Sequence, residues 1–153
     1  MKENQALFSK ILVPVDGSKF STHAVNLAKR LAPYHNSSLL LVHVIDVAVV
    51  KQLQRLGQKS HDEVMVEMEK NARGFLKSMA LEIRGQHTPV DMTIKEGVPH
   101  EAILKEAERW QADLIIMGKL GKRGIGRILL GSVAERVIEF SKLPVMLATG
   151  KQP

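Results

Sequence analysis

Five apolar runs of strand length, separated by stretches of helical periodicity, constrain this chain more than any other feature. The clearest covers 38–45, where one serine is followed by Leu39, Leu40, Leu41, Val42, His43, Val44 and Ile45. A strand that is apolar on both sides must be covered on both sides, which is the situation of a central parallel strand. Lys10 to Asp16 (KILVPVD) is a similar run ending in an acid, and Gly17 and Ser18 turn the chain into a helix. In that helix Phe20, Ala24, Leu27, Ala28 and Leu31 recur at steps of three and four residues, up to Pro33.

Asp46 closes the second run, and the stretch from Asp46 to Asp62 is partly helical in pattern, broken at Gly57, and reads as a candidate lid. From Glu63 the positions Val64, Met68, Ala72, Phe75, Leu76, Met79 and Ile83 trace a helix to Gly85, with its methionines as core filler. Val90, Met92 and Ile94 alternate with Asp91, Thr93 and Lys95, so the third strand has one polar face and belongs near a sheet edge, ended by Gly97. Pro99 suits a first helical turn, and Ile103, Ala107 and Trp110 give that helix its inner face. Leu114 to Met117 is the fourth strand, Val133 to Phe140 the last helix, and Pro144 to Ala148 a final strand whose proline suits an edge.

The order β-α-β-α-β-α-β-α-β predicts one α/β domain over 1–153, with its core at about 9–149. It is an open, Rossmann-like, five-stranded parallel sheet with helices on both faces. With strand order 3-2-1-4-5, the winding reverses between strands one and four, and ligands of such sheets bind there, beyond the carboxyl ends. Those ends are Asp16 to Ser18 and Gly118 to Gly121.

The second of them opens the segment MGKLGKRGIGRILLGS, Met117 to Ser132, which has the spacing G-x-x-G-(x)9-G-S. Glycines let backbone N–H groups approach an anion, and the first N–H groups of a helix lack internal partners and sit at the positive end of its dipole. From Leu114 to Ala134 the chain carries Lys119, Lys122, Arg123 and Arg127 and no carboxylate, which favours an anionic ligand. The competing reading is that these glycines only make turns. The spacing is neither the phosphate loop ending in Gly-Lys-Ser/Thr nor G-x-G-x-x-G, since Leu129 stands where a third glycine would follow Gly124 and Gly126.

Composition narrows the function classes. No run of about eighteen apolar residues exists for a membrane span, and the start MKENQALFSK lacks a signal-peptide core, so a cytoplasmic location is expected. Without cysteine there are no disulfides, thiolate metal sites or cysteine nucleophiles, and the six histidines show no i, i+4 pair for a helical metal site. A net charge of +6 and a pI near 9.7 raise nucleic acid as a partner. The excess is concentrated in the glycine loop, and one Trp and one Tyr give little surface for stacking bases, so nucleic-acid binding is not expected.

The segments ILVPVDGS, LLLVHVID, EGVPHEAILKEAE, ADLIIMG and LGSVAERVIEFSKLPVMLA, with the glycine signature, resemble the universal stress proteins of the ATP-binding type over nearly the whole chain. The resemblance implies that Pro14, Val15 and Asp16 flank the adenosine and that Val44 meets adenine through its backbone. It implies that Met117, Gly118, Gly121 and Lys122 form the near side of the phosphate loop. Gly131, Ser132 and Val133 would hold phosphates through N–H groups and the serine hydroxyl. Asp16 would face the ribose or base, or reach phosphates through Mg or Mn, because a bare triphosphate would repel it; it could also cap the first helix. Relatives commonly carry a small hydroxyl then His or Arg after the first loop glycine; here Lys119 either strengthens phosphate binding or, with Leu120, narrows the entrance.

The function expected is a nucleotide-dependent regulatory, stress-response module binding ATP or another adenine nucleotide. No Ser-His-Asp order and no paired carboxylates near the loop point to a dedicated enzyme, though slow hydrolysis or self-phosphorylation, with Ser132 as acceptor, stays open. The alternative is a nucleotide-independent dimeric interaction module. The resemblance also implies a homodimer paired through the final strands, Val145 to Ala148, and protein partners of unknown identity.

Overall fold

Each apolar run becomes a parallel strand in a single five-stranded sheet. The computed structural model describes residues 6–120 and 129–150. In chain order the elements are β1 (Lys10–Pro14), α1 (Lys19–His35), β2 (Ser38–Asp46), α2 (Val47–Gly57), α3 (His61–Arg84), β3 (Val90–Gly97), α4 (Pro99–Trp110), β4 (Leu114–Gly118), α5 (Ser132–Phe140) and β5 (Val145–Ala148). The sheet order is β3-β2-β1-β4-β5, with β3 and β5 at the edges as their sequences predict. All four pairings are parallel, and β1 pairs β2 at Leu12↔Leu40 and β4 at Leu12↔Ile115.

Side chains alternate across the sheet, so each strand feeds two layers. Ile11, Val13 and Val15 join Leu39, Leu41 and Ile116 beneath α1 and α3, where Ala24, Ala28, Leu76 and Ile83 are buried. Leu12, Leu40, Val42, Ile115 and Met117 face α4 and α5 through Ile103, Ala107, Ala134 and Val137. A smaller cluster, Ile45, Val50 and Val64, fastens α2 and α3 beyond the end of β2.

Four expectations are corrected. The break at Gly57 is present, but the stretch 46–62 is helical on both sides of it, as α2 and the start of α3, with the Asp46 carboxylate accepting the Ala48 N–H at 2.9 Å as a helix cap. Two helices therefore lie between β2 and β3. Strand one stops at Pro14, leaving Val15 and Asp16 beyond it. Helix α1 runs through Pro33 to His35. Proline supplies no N–H to the carbonyl of Lys29 four residues back, and the Gln86 side-chain amide donates to that oxygen at 2.7 Å instead. Finally, Ser18 rather than Asp16 caps α1, accepting from the Ser21 N–H. Smaller differences lie at other ends: α3 begins at His61 behind a Ser60/Glu63 capping box, and Pro144 lies just outside β5, whereas β3 ends at Gly97 as its sequence predicts.

Candidate functional site

Extending the registers places the expected residues in one row. Pro14↔Val42 brings Asp16 level with Val44, and Leu12↔Ile115 brings Val15 level with Gly118. The carboxyl ends of the neighbouring strands β2, β1 and β4 thus gather Pro14, Val15, Asp16, Val44, Met117, Gly118 and Lys119 where the winding reverses. The glycine loop also carries Gly121, Lys122, Arg123 and Arg127, which lie outside the described residues.

In a parallel strand the N–H and C=O of one residue point to the same neighbour, and the next residue's point to the other. The Leu39 N–H donates to Pro89 before β3, whereas the Val42 oxygen accepts the Val15 N–H at 2.7 Å. Even-numbered residues of β2 therefore address β1, and Val44 aims both its backbone groups at the strip just past the point where β1 has stopped. Its side chain joins the α4/α5 layer, as the sequence implies for any such sheet. Beside it, Asp16 folds into a tight turn, its Oδ1 accepting the Ser18 N–H at 2.9 Å, while Gly17 takes φ 82°. A left-handed φ there is what glycine permits and other residues resist.

At the end of β4 the loop is closed at its base. The Lys119 N–H donates to the Ala148 oxygen at 3.0 Å and the Gly131 N–H to the Lys119 oxygen at 2.8 Å. Gly131 then serves as N-cap of α5 with extended backbone (φ −70°, ψ 152°), and no side chain caps this helix. The Glu135 N–H takes the Gly131 oxygen at 2.9 Å as the first intrahelical bond. The N–H groups of Ser132 and Val133 precede it in the first turn, at the positive end of the helix dipole, and Ser132 is exposed. Gly131 itself spends its N–H on closing the loop.

Two contacts here have no counterpart in the sequence reasoning. The first turn of α1 presses on β4 at Gly118, where an added Cβ would meet Phe20. The other is His43, whose Nδ1 lies 2.7 Å from the Val15 oxygen and whose ring stands edge-on to Phe75 of α3 at 5.1 Å. Its signal in the sequence was a lone polar side chain inside an otherwise apolar strand.

Among the described residues no group of three His, Asp or Glu side chains could hold a metal ion alone. Charge elsewhere is structural in kind. Buried Glu106 of α4 is bound by Arg109 and lies 3.5 Å from the Lys95 ammonium of β3, and the Arg109 hydrogen bond, opposed by burial, holds its carboxyl below the ordinary range. His61 at the start of α3 bonds Glu96 of β3 at 2.8 Å, a contact that raises the imidazole pKa. A separate open groove of about 750 Å³ runs between α1 and β5, lined by residues including Lys29, Arg30, Tyr34, Gln86 and Met146. No helix among the described residues is long and apolar enough to cross a membrane.

The sequence from residue 7 to residue 149 matches the family model of the universal stress protein family. The chain belongs to the universal stress protein family. It is 36% identical over 148 residues to universal stress protein MJ0531 of Methanocaldococcus jannaschii, covering 96% of this chain and 85% of that one. The solved structure of MJ0577, a universal stress protein of the same organism, superposes with a TM-score of 0.85 at 32% identity, covering 96% of this chain and 99% of the other. A universal stress protein from Archaeoglobus fulgidus, solved in complex with dAMP, shares the fold at a TM-score of 0.67 and 22% identity, over 94% and 99% of the two chains. The universal stress protein fold thus underlies the sheet order and the point between β1 and β4 where its winding reverses.

Proposed function

We propose that this universal stress protein binds an adenine nucleotide, ATP with Mg or Mn foremost, in the crevice at the ends of β2, β1 and β4. In this reading it works as a cytoplasmic, homodimeric regulatory module whose partner choice follows nucleotide occupancy. The observation that carries the reading is Val44: one residue aims a donor and an acceptor side by side into the strip that β1 vacates. That pair complements a purine edge with a ring-nitrogen acceptor beside an amino donor, as adenine has. Pro14, Val15 and Asp16 then flank the nucleoside. Met117, Gly118, Lys119, Gly121 and Lys122 form one wall for the phosphates, and Ser132 and Val133 at the start of α5 form the other. The dAMP complex of the Archaeoglobus fulgidus relative gives an adenine nucleotide a place in this family.

A divalent cation would arrive with the phosphates, since Asp16 is the one acidic side chain among the expected site residues and already accepts the Ser18 N–H. Neither a nucleophile–base pair nor a carboxylate pair stands among those residues, so any hydrolysis is slow, well under about 1 per second. The test is calorimetric titration of nucleotide-stripped protein with ATP and Mg beside Gly131→Val and Ser132→Ala. Saturable binding is expected in the wild type, abolished by the valine at the loop base. The alanine should weaken it by about three- to tenfold, one hydrogen bond's worth. No binding by the wild type would overturn the reading and favour a nucleotide-independent interaction module, for which the α1/β5 groove beside an open strand edge is the supporting feature.

A further inference from the structure

We infer that His43 is a positioning residue that keeps the crevice open, by taking the carbonyl that would otherwise close it. This role rests on the adenine-nucleotide reading for its purpose, though not for its geometry. The β1–β2 ladder ends at Pro14↔Val42, with the Val15 N–H on the Val42 oxygen. The next rung of a parallel ladder would run from the Val44 N–H to the Val15 oxygen. That rung is not formed. The Val15 oxygen instead faces the Nδ1 of His43 at 2.7 Å. A carbonyl accepts only, so Nδ1 carries the proton in this contact.

The ring is placed for this from two sides. Its residue belongs to β2, beside Val44, with its side chain alternating onto the α1/α3 face, and Phe75 of α3 holds it edge-on at 5.1 Å and 83°. The Val15 carbonyl is thereby satisfied on one face of the sheet while the Val44 N–H remains directed into the gap between strand ends. A buried carbonyl left without a donor is costly. Without the imidazole, the nearest donor in register is the Val44 N–H itself, so the ladder would extend by one rung, and the group proposed to meet adenine would be consumed. His43 touches no ligand in this scheme; it acts through Val15 and Val44.

The experiment is amide hydrogen exchange by NMR on the full chain, stripped of nucleotide, for the wild type, His43→Phe and His43→Asn. Phenylalanine keeps a ring against Phe75 and removes the donor; asparagine carries an amide nitrogen two bonds beyond Cβ, where Nδ1 stands. In the wild type the Val44 amide should exchange much faster than that of Val42, which lies inside the ladder, and should become protected when ATP is added. In His43→Phe it should be protected without nucleotide, with ATP affinity down by about tenfold, the equivalent of one hydrogen bond, and tripolyphosphate affinity unchanged. His43→Asn should restore wild-type exchange and affinity. A wild-type Val44 amide as slow as Val42 overturns the inference, as does a folded His43→Phe in which Val44 still exchanges freely. If His43→Phe does not fold, the wild-type comparison and His43→Asn decide. Should the Val44 amide exchange without nucleotide as described in all three proteins while the wild type binds no adenine nucleotide, the strand-end lock stands and the nucleotide reading falls.

Discussion

A methyl group added at Gly118 would stand 2.8 Å from both the carbonyl carbon and oxygen of Phe20 and 2.9 Å from its Cβ. Two of those three atoms are backbone, so the clash cannot be relieved by rotating a side chain. The first glycine of the signature is therefore fixed by how closely α1 must approach β4, whatever ligand the loop holds. Gly118→Ala should cost about 1–3 kcal/mol through overpacking, read as a lower midpoint in urea unfolding at unchanged slope. Equal stability of the two proteins would mean that α1 does not sit where the structure puts it. Gly131 contrasts with it: its φ of −70° is open to any residue, and its place depends on the bond from its N–H to Lys119. One glycine thus sets how α1 meets the sheet, and the other sets how the loop closes.

At the scale of elements, α1 shows how a sequence signal and its tertiary remedy fit together. Pro33 removes the N–H due to the Lys29 oxygen, and the Gln86 amide beyond the end of α3 supplies the replacement at 2.7 Å while also bonding Thr88 at 3.0 Å. Gln86→Ala should cost about 1–2 kcal/mol in the native background, because it leaves a carbonyl unpaired. In a Pro33→Ala background, where residue 33 regains its N–H, the same change should cost much less. A double-mutant cycle with no coupling would show that the two residues do not share this carbonyl.

That pairing also explains why the end of α1 was not legible. Proline reads locally as a stop, and the donor that overrides it lies 53 positions along the chain. The existence and order of the five strands were legible because continuous or alternating apolar runs record burial directly, from Leu39–Ile45 to Val90–Ile94. Helix α2 was obscured because its inner face holds little more than Val50, while Leu53 and Leu56 remain exposed and blur the periodicity. The early end of β1 was likewise invisible: nothing in Val15 or Asp16 forbids a strand, and the hydrogen bond from His43 lies in another element. Of the candidate site, the strand ends followed from topology and the residue roles from the family resemblance. The direction of the Val44 backbone could come only from knowing where the β1 ladder stops.

Over the whole molecule, β5 is an edge strand of the sheet, with no further strand paired to it among the described residues. The oxygens of Pro144 and Ala148 accept from the β4 side, from Ile115 and Lys119, so the even residues face inward and Val145 and Leu147 turn their N–H groups outward. If two copies pair along this edge, light scattering should give a dimer at micromolar concentration. Leu147→Pro, which deletes one outward donor while sparing the β4 ladder, should shift it to monomer with the far-ultraviolet circular dichroism unchanged. A wild-type monomer would refute pairing at this edge.

The registered strand ends at Val15, Val44 and Gly118 and the groove between α1 and β5 are separate regions of the molecule. The most direct test of which one takes an adenine nucleotide is a titration of isotope-labelled, nucleotide-stripped protein with ATP and Mg, followed residue by residue through its backbone amides. Saturable shifts concentrated at Val15, Asp16, Val44, Gly118, Ser132 and Val133 are the predicted result. Shifts confined to Lys29, Tyr34 and Met146, or no saturable shifts at all, would contradict the assignment of the crevice as the nucleotide site.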